Sequence, residues 1–332
     1  MKKLSLKLKL IFALFILIIC VPVALVFYYN SQLTAPSKSE EPKRFVVKPG
    51  QPLIQIANNL QSEGLIKNAL AFRLLVAQMG ITTKIQAGDY RLAANKSARA
   101  LAQELVHGAL DIWITFPEGE RLEQQAQVIE EKLNDSANGN YQFKKDEYIK
   151  VGKEGYMFPD TYLIPKEASA EAIATKLQNT FESKVSKSLL GKGLKNNLTS
   201  YQVLILASLI EREAKTNEER PVIAGIMLNR IKAGIPLQVD ATVQYAKGYN
   251  AGNKTWWPQV TQEEYSTVKS PYNTYLHQGL PPGPICSPGL DSITAAAQPS
   301  DTPYLYYLHD AKGKIHYAKT GEEHNANIQK YL

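Results

Sequence analysis

The stretch "VLILASLIEREAKT", residues 203–216, is an apolar run that ends in charged residues. Thr199 and Gln202 match a capping box, so a helix is predicted to begin at Thr199 or at the residue after it. Glu211 is predicted to point inward, because at about 100° per residue four small or apolar residues lie within about 60° of it around the helix axis: Leu204, Ala207, Ser208 and Ala214. Glu213 lies on the opposite side of the helix and is expected to be solvated.

An inward-facing carboxyl group has two physical explanations, and the helix pattern leaves both open. Burying an unpaired charge is costly, and burial raises the pKa of a carboxyl group toward the range that suits a general acid. Glu211 is therefore a candidate proton donor in an enclosed site. Alternatively, it is a buried carboxylate that pairs with an arginine such as Arg220 or Arg230.

Further candidate residues follow this helix. A second helix is predicted to end at Gly234, and the extended segment "PLQVD", residues 236–240, comes next. Because side chains alternate along an extended chain, Gln238 and Asp240 project on the same side. Asp240 alternatively caps the helix that begins with "ATVQYA".

A motif rich in polar and aromatic residues precedes a loop rich in Pro and Gly. The whole segment reads "SPYNTYLHQGLPPGPICSPGL" and spans residues 270–290. Its candidate site residues are Tyr272, Asn273, Thr274 and Tyr275. Ordering a rigid loop of this kind is costly, so we expect the loop to shape part of a functional site.

The N-terminal region contains a candidate membrane span. The stretch "LIFALFILIICVPVALVFYY", from Leu10 to Tyr29, carries no charge and has about the 20 residues that a helix needs to cross a hydrocarbon layer of ~30 Å. The preceding lysines place the N-terminus in the cytoplasm by the positive-inside rule: Lys2, Lys3, Lys7 and Lys9. A cleaved signal peptide is the alternative, but the apolar stretch is longer than the usual ~7 to 15 residues and no small-x-small site follows it.

Composition and length predict a globular protein with room for two domains behind this span. The chain has 332 residues, of which 44% are hydrophobic and 21% are charged. Alternating strand and helix patterns predict an α+β fold. The predicted segments are a cytoplasmic tail at 1–9, a transmembrane helix at 10–29, a flexible linker at 30–43, a small module at 44–108 and a larger domain at 109–332.

Several classes of function are disfavoured by composition. The net charge of +7 includes the four lysines before the span. The net charge of the rest of the chain is too small to indicate binding of nucleic acid. Cys20 and Cys286 are far apart in different segments, so no disulfide is predicted. The five histidines are scattered without an HExxH motif, and no local nucleophile motif for a Ser or Cys hydrolase occurs. No metal or cofactor is expected.

The small module begins with the strand, turn and helix of "FVVKPGQPLIQIANNL". This pattern resembles a LysM-type module, and the resemblance implies binding of glycans that contain N-acetylglucosamine. Gln51 and Pro52 depart from it, since many such modules carry Asp and Thr at these positions. The alternative is a spacer that positions the larger domain.

The motifs "ASLIEREA", "NRIKAGIPLQVDATVQY", "SPYNTY" and "GLPPGPICSPG" occur in this order behind the predicted span and module. Together with "EGYMFPDTY" they resemble the MltG (YceG-like) family of endolytic murein transglycosylases, over roughly residues 44–332. Ser287 departs from the pattern, because the family often has Asn there. Within these motifs, substrate binding is predicted for six residues: Gln238, Asp240, Tyr272, Asn273, Thr274 and Tyr275.

The resemblance implies cleavage of the bond between N-acetylmuramic acid and N-acetylglucosamine in nascent peptidoglycan strands. The product end is a 1,6-anhydromuramoyl group, and Glu211 matches the family's catalytic glutamate. One carboxyl group then serves as acid toward the leaving oxygen and as base toward the C6 hydroxyl of the sugar. The implied place is the outer face of the cytoplasmic membrane, with peptidoglycan synthases as natural partners. Trp256 and Trp257 either line a sugar subsite or fill the core.

Two other functions compete with this interpretation. A wall-binding scaffold in the membrane would tolerate loss of Glu211, whereas an enzyme would not. A hydrolase with two carboxylates would use Asp240 or Glu218 as the partner and would produce reducing ends. Glu218 also suits the first turn of the next helix, where a negative charge stabilises the helix dipole.

Overall fold

The computed structural model describes residues 20–107, 111–136 and 142–332. It has a mixed α+β fold, so the predicted fold class is confirmed at this level. The chain divides into two compact units. The first comprises Met1–Trp113 with Leu163–Lys166, and the second comprises Ile114–Tyr162 with Glu167–Leu332.

The first unit pairs a small sheet with helices. Its elements are α1 at 20–32, β1 (Pro42–Val47), α2 (Leu53–Ser62), α3 (Ala69–Gln78), β2 (Gly88–Ala93) and α4 (Ala98–His107). β1 and β2 are antiparallel, with Pro42 opposite Ala93 and Val47 opposite Gly88. With β3 (Asp111–Thr115) and β4 (Thr161–Pro165) they form a sheet of order β1-β2-β3-β4, and the boundary between the units crosses β3 and β4.

Local sequence explains the first helices of this unit. Gly50 has a φ of 72°, which suits the turn between β1 and α2. Three residues of α2 at helical spacing are buried, namely Ile56, Ala57 and Leu60. Asn68 caps α3 by accepting a hydrogen bond from the backbone N–H of Ala71.

Part of the predicted linker is bonded to the first unit. The backbone N–H of Ala98 donates to the carbonyl of Leu33 at 2.9 Å, and the N–H of Ser37 donates to Ala94 at 3.2 Å. Lys67 also donates to the Thr34 hydroxyl at 2.6 Å. This half of the linker is therefore held by specific contacts.

The first half of the predicted membrane span, residues 10–19, lies outside the described residues. In the part of the chain that the structure describes, no helix is both long and apolar enough to cross a membrane. Apolar side chains of α1 are exposed, among them Val21, Leu25 and Phe27. Both cysteines are free; Cys20 is exposed and Cys286 is buried.

The second unit is mainly helical. Its helices are α5 (Leu122–Ser136), α6 (Lys145–Val151), α7 (Ala170–Lys184), α8 (Lys187–Gly191), a 3-10 helix (Lys192–Asn196), α9 (Ser200–Glu213), α10 (Glu219–Lys232), α11 (Asp240–Lys247), α12 (Glu264–Thr267), α13 (Leu290–Ala297) and α14 (Gly321–Tyr331). A hairpin of β5 (Tyr306–His309) and β6 (Ile315–Ala318) precedes α14.

Helix α9 is the centre of this unit. The capping box of Thr199 and Gln202 is present, which confirms the predicted start of the helix. Every residue from Val203 to Ile210 is buried, because helices α10 and α13 pack against it. Gly225 of α10 allows a close approach, since a Cβ atom there would lie 2.3 Å from the carbonyl oxygen of Ser300.

The β5–β6 hairpin brings a late part of the sequence to the end of α9. Its strands are antiparallel, with Tyr306 opposite Ala318 and His309 opposite Ile315. Because side chains alternate along a strand, Tyr307 and His309 share one face. Tyr307 bonds to Glu213 in the last turn of α9, and His309 bonds to Glu219, the first residue of α10.

Candidate functional site

Glu211 lies in the last turn of α9 and is enclosed, as predicted, with only 6% of its side chain exposed. Its Oε1 atom accepts a hydrogen bond from Nη2 of Arg220 at 3.1 Å. Its Oε2 atom accepts the backbone N–H of Gly289 at 2.9 Å. Of the two explanations that the helix pattern left open, the structure contains the pairing with Arg220.

The surroundings of Glu211 are a compact cluster of charges. A carboxylate oxygen of Glu118 lies 4.0 Å from Nη2 of Arg220. The pKa of Glu118 is raised by partial burial and then by the negative charges of Glu211 and Asp291, while Arg220 opposes the rise. One guanidinium group, that of Arg220, thus faces the two carboxyl groups of Glu211 and Glu118.

Glu213 has a different environment from the one predicted. The Tyr307 hydroxyl donates to Oε2 of Glu213 at 2.6 Å. Burial raises the pKa of Glu213, and the charge of Asp240 adds to the rise, whereas the bond from Tyr307, His309 and Arg212 oppose it. The expectation of a solvated Glu213 is wrong, because the β5–β6 hairpin packs on that side of α9.

A pocket of about 410 Å³ lies beside Glu213. Three of the six predicted substrate-binding residues line it, namely Gln238, Asp240 and Tyr275. The other polar and aromatic residues of its wall are Arg230, Tyr306, Tyr307, His309 and His324. Glu211 is not part of this wall, so the structure brings the predicted binding residues together with Glu213.

The predicted pair in the extended segment is held by the surrounding side chains. Gln238 has a φ of 53°, an uncommon value for a residue other than Gly, and its side-chain oxygen accepts a bond from Arg230 at 2.6 Å. Asp240 is the first residue of α11. Its carboxylate accepts bonds from the hydroxyls of Tyr275 at 2.5 Å and Tyr265 at 3.2 Å.

The other three predicted binding residues do not line this pocket. Asn273 is fully buried and donates to the carbonyls of Tyr265 and Val268. Thr274 is also buried, and its hydroxyl accepts the N–H of Val239 at 3.0 Å. Tyr272 is half-buried against the Tyr245 ring, 4.7 Å away. Substrate contact by these residues stays a prediction; in this structure they brace the walls around the site.

A second group of aromatic residues surrounds two arginines that the sequence patterns did not identify. The guanidinium of Arg121 lies 4.0 Å from the ring centre of Tyr245 and 5.0 Å from that of Trp256. Arg212 lies 4.0 Å from the ring centre of Trp257. Both tryptophans are partly buried in this cluster. The dense aromatic composition around residue 256 was the available signal.

Ser287 is fully buried, and its hydroxyl accepts a hydrogen bond from the Gln125 amide at 3.4 Å. Its carbonyl accepts the N–H of Gly119 at 2.9 Å, and its own N–H donates to Glu120 at 2.8 Å. These bonds hold the segment before α13 beside residues 119–120, close to the Glu211 cluster. Within residues 20–107, 111–136 and 142–332, no group of three His, Cys, Asp or Glu residues is arranged to hold a metal ion.

The YceG-like family model matches residues 45–330, so the chain belongs to the YceG-like family. This confirms the family that the motifs indicated. A Bacillus subtilis (strain 168) protein named endolytic murein transglycosylase is 32% identical over 334 residues, which cover 92% of this chain and 90% of the relative.

A Streptococcus pneumoniae (strain ATCC BAA-255 / R6) protein of the same name is 28% identical, and the match covers 92% of this chain but only 61% of the relative. The fold is similar to a crystal structure of a YceG-like protein from Listeria monocytogenes. That comparison has a TM-score of 0.55 and 28% identity, and it covers 87% of this chain and 99% of the other.

Proposed function

We propose that this protein is an endolytic transglycosylase of peptidoglycan. It cleaves the bond between N-acetylmuramic acid and N-acetylglucosamine within a glycan strand and leaves a 1,6-anhydro end. Membership of the YceG-like family and the names of the relatives support the substrate class. The observation that carries the proposal is the enclosed Glu213, which shares a pocket with Gln238, Asp240 and Tyr275.

Glu213 suits the role of general acid better than Glu211 does. Both oxygens of Glu211 already accept hydrogen bonds, one from Arg220 and one from the backbone N–H of Gly289. Burial favours the protonated form of Glu213 instead. Since Tyr307 bonds to Oε2, the Oε1 atom is the one that carries the acidic proton.

One carboxyl group then performs both proton transfers. Glu213 donates its proton to the leaving oxygen of N-acetylglucosamine as the bond from that oxygen to C1 breaks. The C6 hydroxyl oxygen of the muramic acid bonds to C1, and its proton passes to the Glu213 carboxylate. Glu213 ends protonated as it began, so no water molecule is consumed.

The walls of the pocket support a sugar substrate. The Tyr275 ring stacks on Tyr265 with one face and can offer its other face to the C–H surface of a pyranose. Asp240 supplies a negative charge near the position where positive charge develops at C1, and its two tyrosine bonds fix its orientation.

Glu211 has a positioning role in this proposal. Its bonds to Arg220 of α10 and to Gly289, which precedes α13, tie the end of α9 to two neighbouring helices. The last turn of α9 also carries Glu213, so these bonds fix the direction in which Glu213 projects.

A hydrolase with two carboxylates is the second candidate, because Asp240 lies in the same pocket as Glu213. Such an enzyme would use Asp240 to activate water and would leave reducing ends. The chemistry of the new ends separates the two reactions.

The remaining parts of the proposal concern location and attachment. The uncharged residues 10–29 form a single anchor with the N-terminus in the cytoplasm, and both units act at the outer face of the membrane. Synthases of peptidoglycan are the natural partners there. The LysM-like module contributes weak glycan binding at the pocket of about 400 Å³ that includes Gln51, Pro52 and Asn59.

The same substitution on the two glutamates of α9 tests the catalytic assignment. Uncrosslinked glycan strands are incubated with the wild type, Glu213→Gln and Glu211→Gln, and anhydro ends are quantified. Because general acid–base catalysis contributes ~10²- to 10⁴-fold, we expect at least this loss in Glu213→Gln. Glu211→Gln should unfold at a lower temperature because Arg220 loses its partner, yet retain far more activity per folded molecule.

The matched control is Glu218→Gln, since Glu218 is exposed and lies outside the pocket. Its activity and melting temperature should equal those of the wild type. Near-normal activity of Glu213→Gln, with complete loss in a folded Glu211→Gln, would reverse the assignment.

A further inference from the structure

We propose that one face of α3 in the first unit lies on the lipid surface beside the predicted anchor. The α3 face consists of four residues at helical spacing: Leu70, Arg73, Leu74 and Ala77. This inference rests on the proposed anchor at residues 10–29 and assigns a membrane contact to the module that follows it. It does not depend on which glutamate performs the reaction.

The α3 face is apolar although it is exposed. Leu70 and Leu74 are one turn apart, with 58% and 48% of their surface exposed. Ala77, three positions further on, is exposed as well. The opposite side of α3 is also apolar, since Phe72 and Leu75 are buried in the core of the first unit. A helix at a water-exposed surface normally has a polar outer face, so we expect the α3 face to contact a second apolar surface.

The end of the predicted anchor is bonded to both ends of α3. The hydroxyl of Tyr29, the last residue of the uncharged stretch, donates to Oε1 of Gln78 at 3.1 Å. The ammonium group of Lys67, just before α3, donates to the carbonyl of Ser31 at 3.4 Å and to the hydroxyl of Thr34 at 2.6 Å. Helix α3 is therefore held within side-chain reach of the point where the anchor leaves the hydrocarbon layer.

The tyrosine at the end of the anchor indicates the depth of α3. Tyr side chains are enriched at the membrane–water interface, where their rings lie at the level of the headgroups. With Tyr29 at this level, Gln78 lies there too, and Ala77 of the α3 face is its neighbour in the chain. Exposed apolar side chains of α1, among them Leu25 and Phe27, lead up to the same place. The apolar surface that the α3 face contacts is thus the bilayer that holds the anchor.

The charges of this segment fit anionic lipid headgroups. Between residues 64 and 88 the sequence contains Lys67, Arg73 and Lys84 and no Asp or Glu. Arg73 belongs to the α3 face itself, and a long basic side chain packs its stem on apolar groups while its charged end stays at the headgroups. Basic residues beside a membrane attract anionic lipids. We therefore expect the contact to be stronger on a bilayer that contains anionic lipid.

The test measures the position of the α3 face in the full chain, reconstituted in vesicles of equal parts phosphatidylcholine and phosphatidylglycerol. Cys20→Ser removes the exposed thiol, and the buried thiol of Cys286 is protected from labelling. Ala77→Cys then carries a fluorophore. The control carries the same label at Leu194→Cys, because Leu194 is an exposed leucine of the second unit. Quenching is measured with lipids brominated in their acyl chains and with iodide in the water.

We expect brominated lipid to quench the label at position 77 and iodide to quench it weakly, whereas the label at position 194 should show the reverse. Replacing Leu70 and Leu74 by Ser should lower the ratio of lipid-bound to free α3 face by about tenfold or more, because both leucines lose apolar area that the lipid covers. Iodide quenching at position 77 should then rise. Since both side chains are exposed, the melting temperature should stay unchanged.

The lipid composition provides a second measurement. In vesicles of phosphatidylcholine alone, quenching by brominated lipid at position 77 should be weaker, and Arg73→Gln should reduce the difference between the two compositions. Equal quenching in both compositions would contradict the role of Arg73.

Equal iodide quenching at positions 77 and 194 overturns the membrane contact. Protection from iodide without quenching by brominated lipid also overturns it, because a protein surface would then cover the α3 face. Release of the chain from the vesicles by alkaline carbonate would contradict the anchor and, with it, this inference. Absence of anhydro ends would contradict the proposed reaction alone.

Discussion

Replacing Tyr307 by Phe removes the hydroxyl that donates to Glu213 at 2.6 Å and keeps the ring. A hydrogen bond to a charged acceptor contributes about 1.5–3 kcal/mol. Because about 1.4 kcal/mol corresponds to one pKa unit, loss of this donor should raise the pKa of Glu213 further, by about 1–2 units. Asp240, His309 and Arg212 also act on Glu213, and the substitution leaves them in place.

The assay is the pH profile of kcat/KM for release of anhydro ends. Glu213 must be protonated to act as an acid, so activity falls as the pH rises through its pKa. In Tyr307→Phe this fall should move to higher pH by about 1–2 units, and the plateau should be lower because the weaker acid donates less readily. Tyr317→Phe on the neighbouring strand is the control, since Tyr317 stacks on Tyr304 outside the pocket. An unchanged basic limb, or a shift to lower pH, would refute the role of Glu213.

Three further predictions concern stability and topology. Burial raises the pKa of Glu154 to about 8, so its contribution to stability is present below about pH 4.5 and is lost as the pH rises through 8. Glu154→Gln should therefore reduce the fall in melting temperature over this pH range. An unchanged dependence of melting temperature on pH would contradict this prediction. Gly225→Ala should destabilise the protein by about 1–3 kcal/mol, because its Cβ would lie 2.3 Å from the Ser300 carbonyl, and denaturant unfolding measures this. A reporter that is active only outside the cytoplasm should work when fused after Lys43, and activity of a cytoplasmic reporter there would contradict the topology.

Local signals in the sequence predicted where helix α9 begins and which way Glu211 points. The capping box of Thr199 and Gln202 set the start of α9, and helical periodicity placed Glu211 inside. Both features depend on residues within a few turns of each other. The motif that contains Gln238 and Asp240 also identified one wall of the pocket.

The environment of Glu213 could not be predicted in this way. Its partner Tyr307 is 94 positions later in the chain, and only the folded hairpin brings the two together. Helical periodicity assigns opposite sides to Glu211 and Glu213 but does not show what covers either side. The same limit applies to His324, whose position depends on the cap of α14 and on its contact with Tyr306.

Linker residues show a related limit. Polar composition predicted a flexible tether at 30–43, yet Ser37 forms a backbone bond with Ala94, just after β2, and Leu33 forms one with Ala98, the first residue of α4. A polar composition shows that a segment has little apolar surface to bury, but it does not exclude hydrogen bonds from the backbone of that segment. Such bonds depend on a distant segment that offers matching groups.

The chemistry of the newly formed strand ends is the most direct test of the central claim. The wild-type chain is incubated with uncrosslinked glycan strands in water enriched in the heavy oxygen isotope, and mass spectrometry identifies the ends. The account predicts 1,6-anhydro ends without heavy oxygen, because the C6 hydroxyl of the sugar closes on C1. Reducing ends that carry heavy oxygen would show attack by water and would contradict the account.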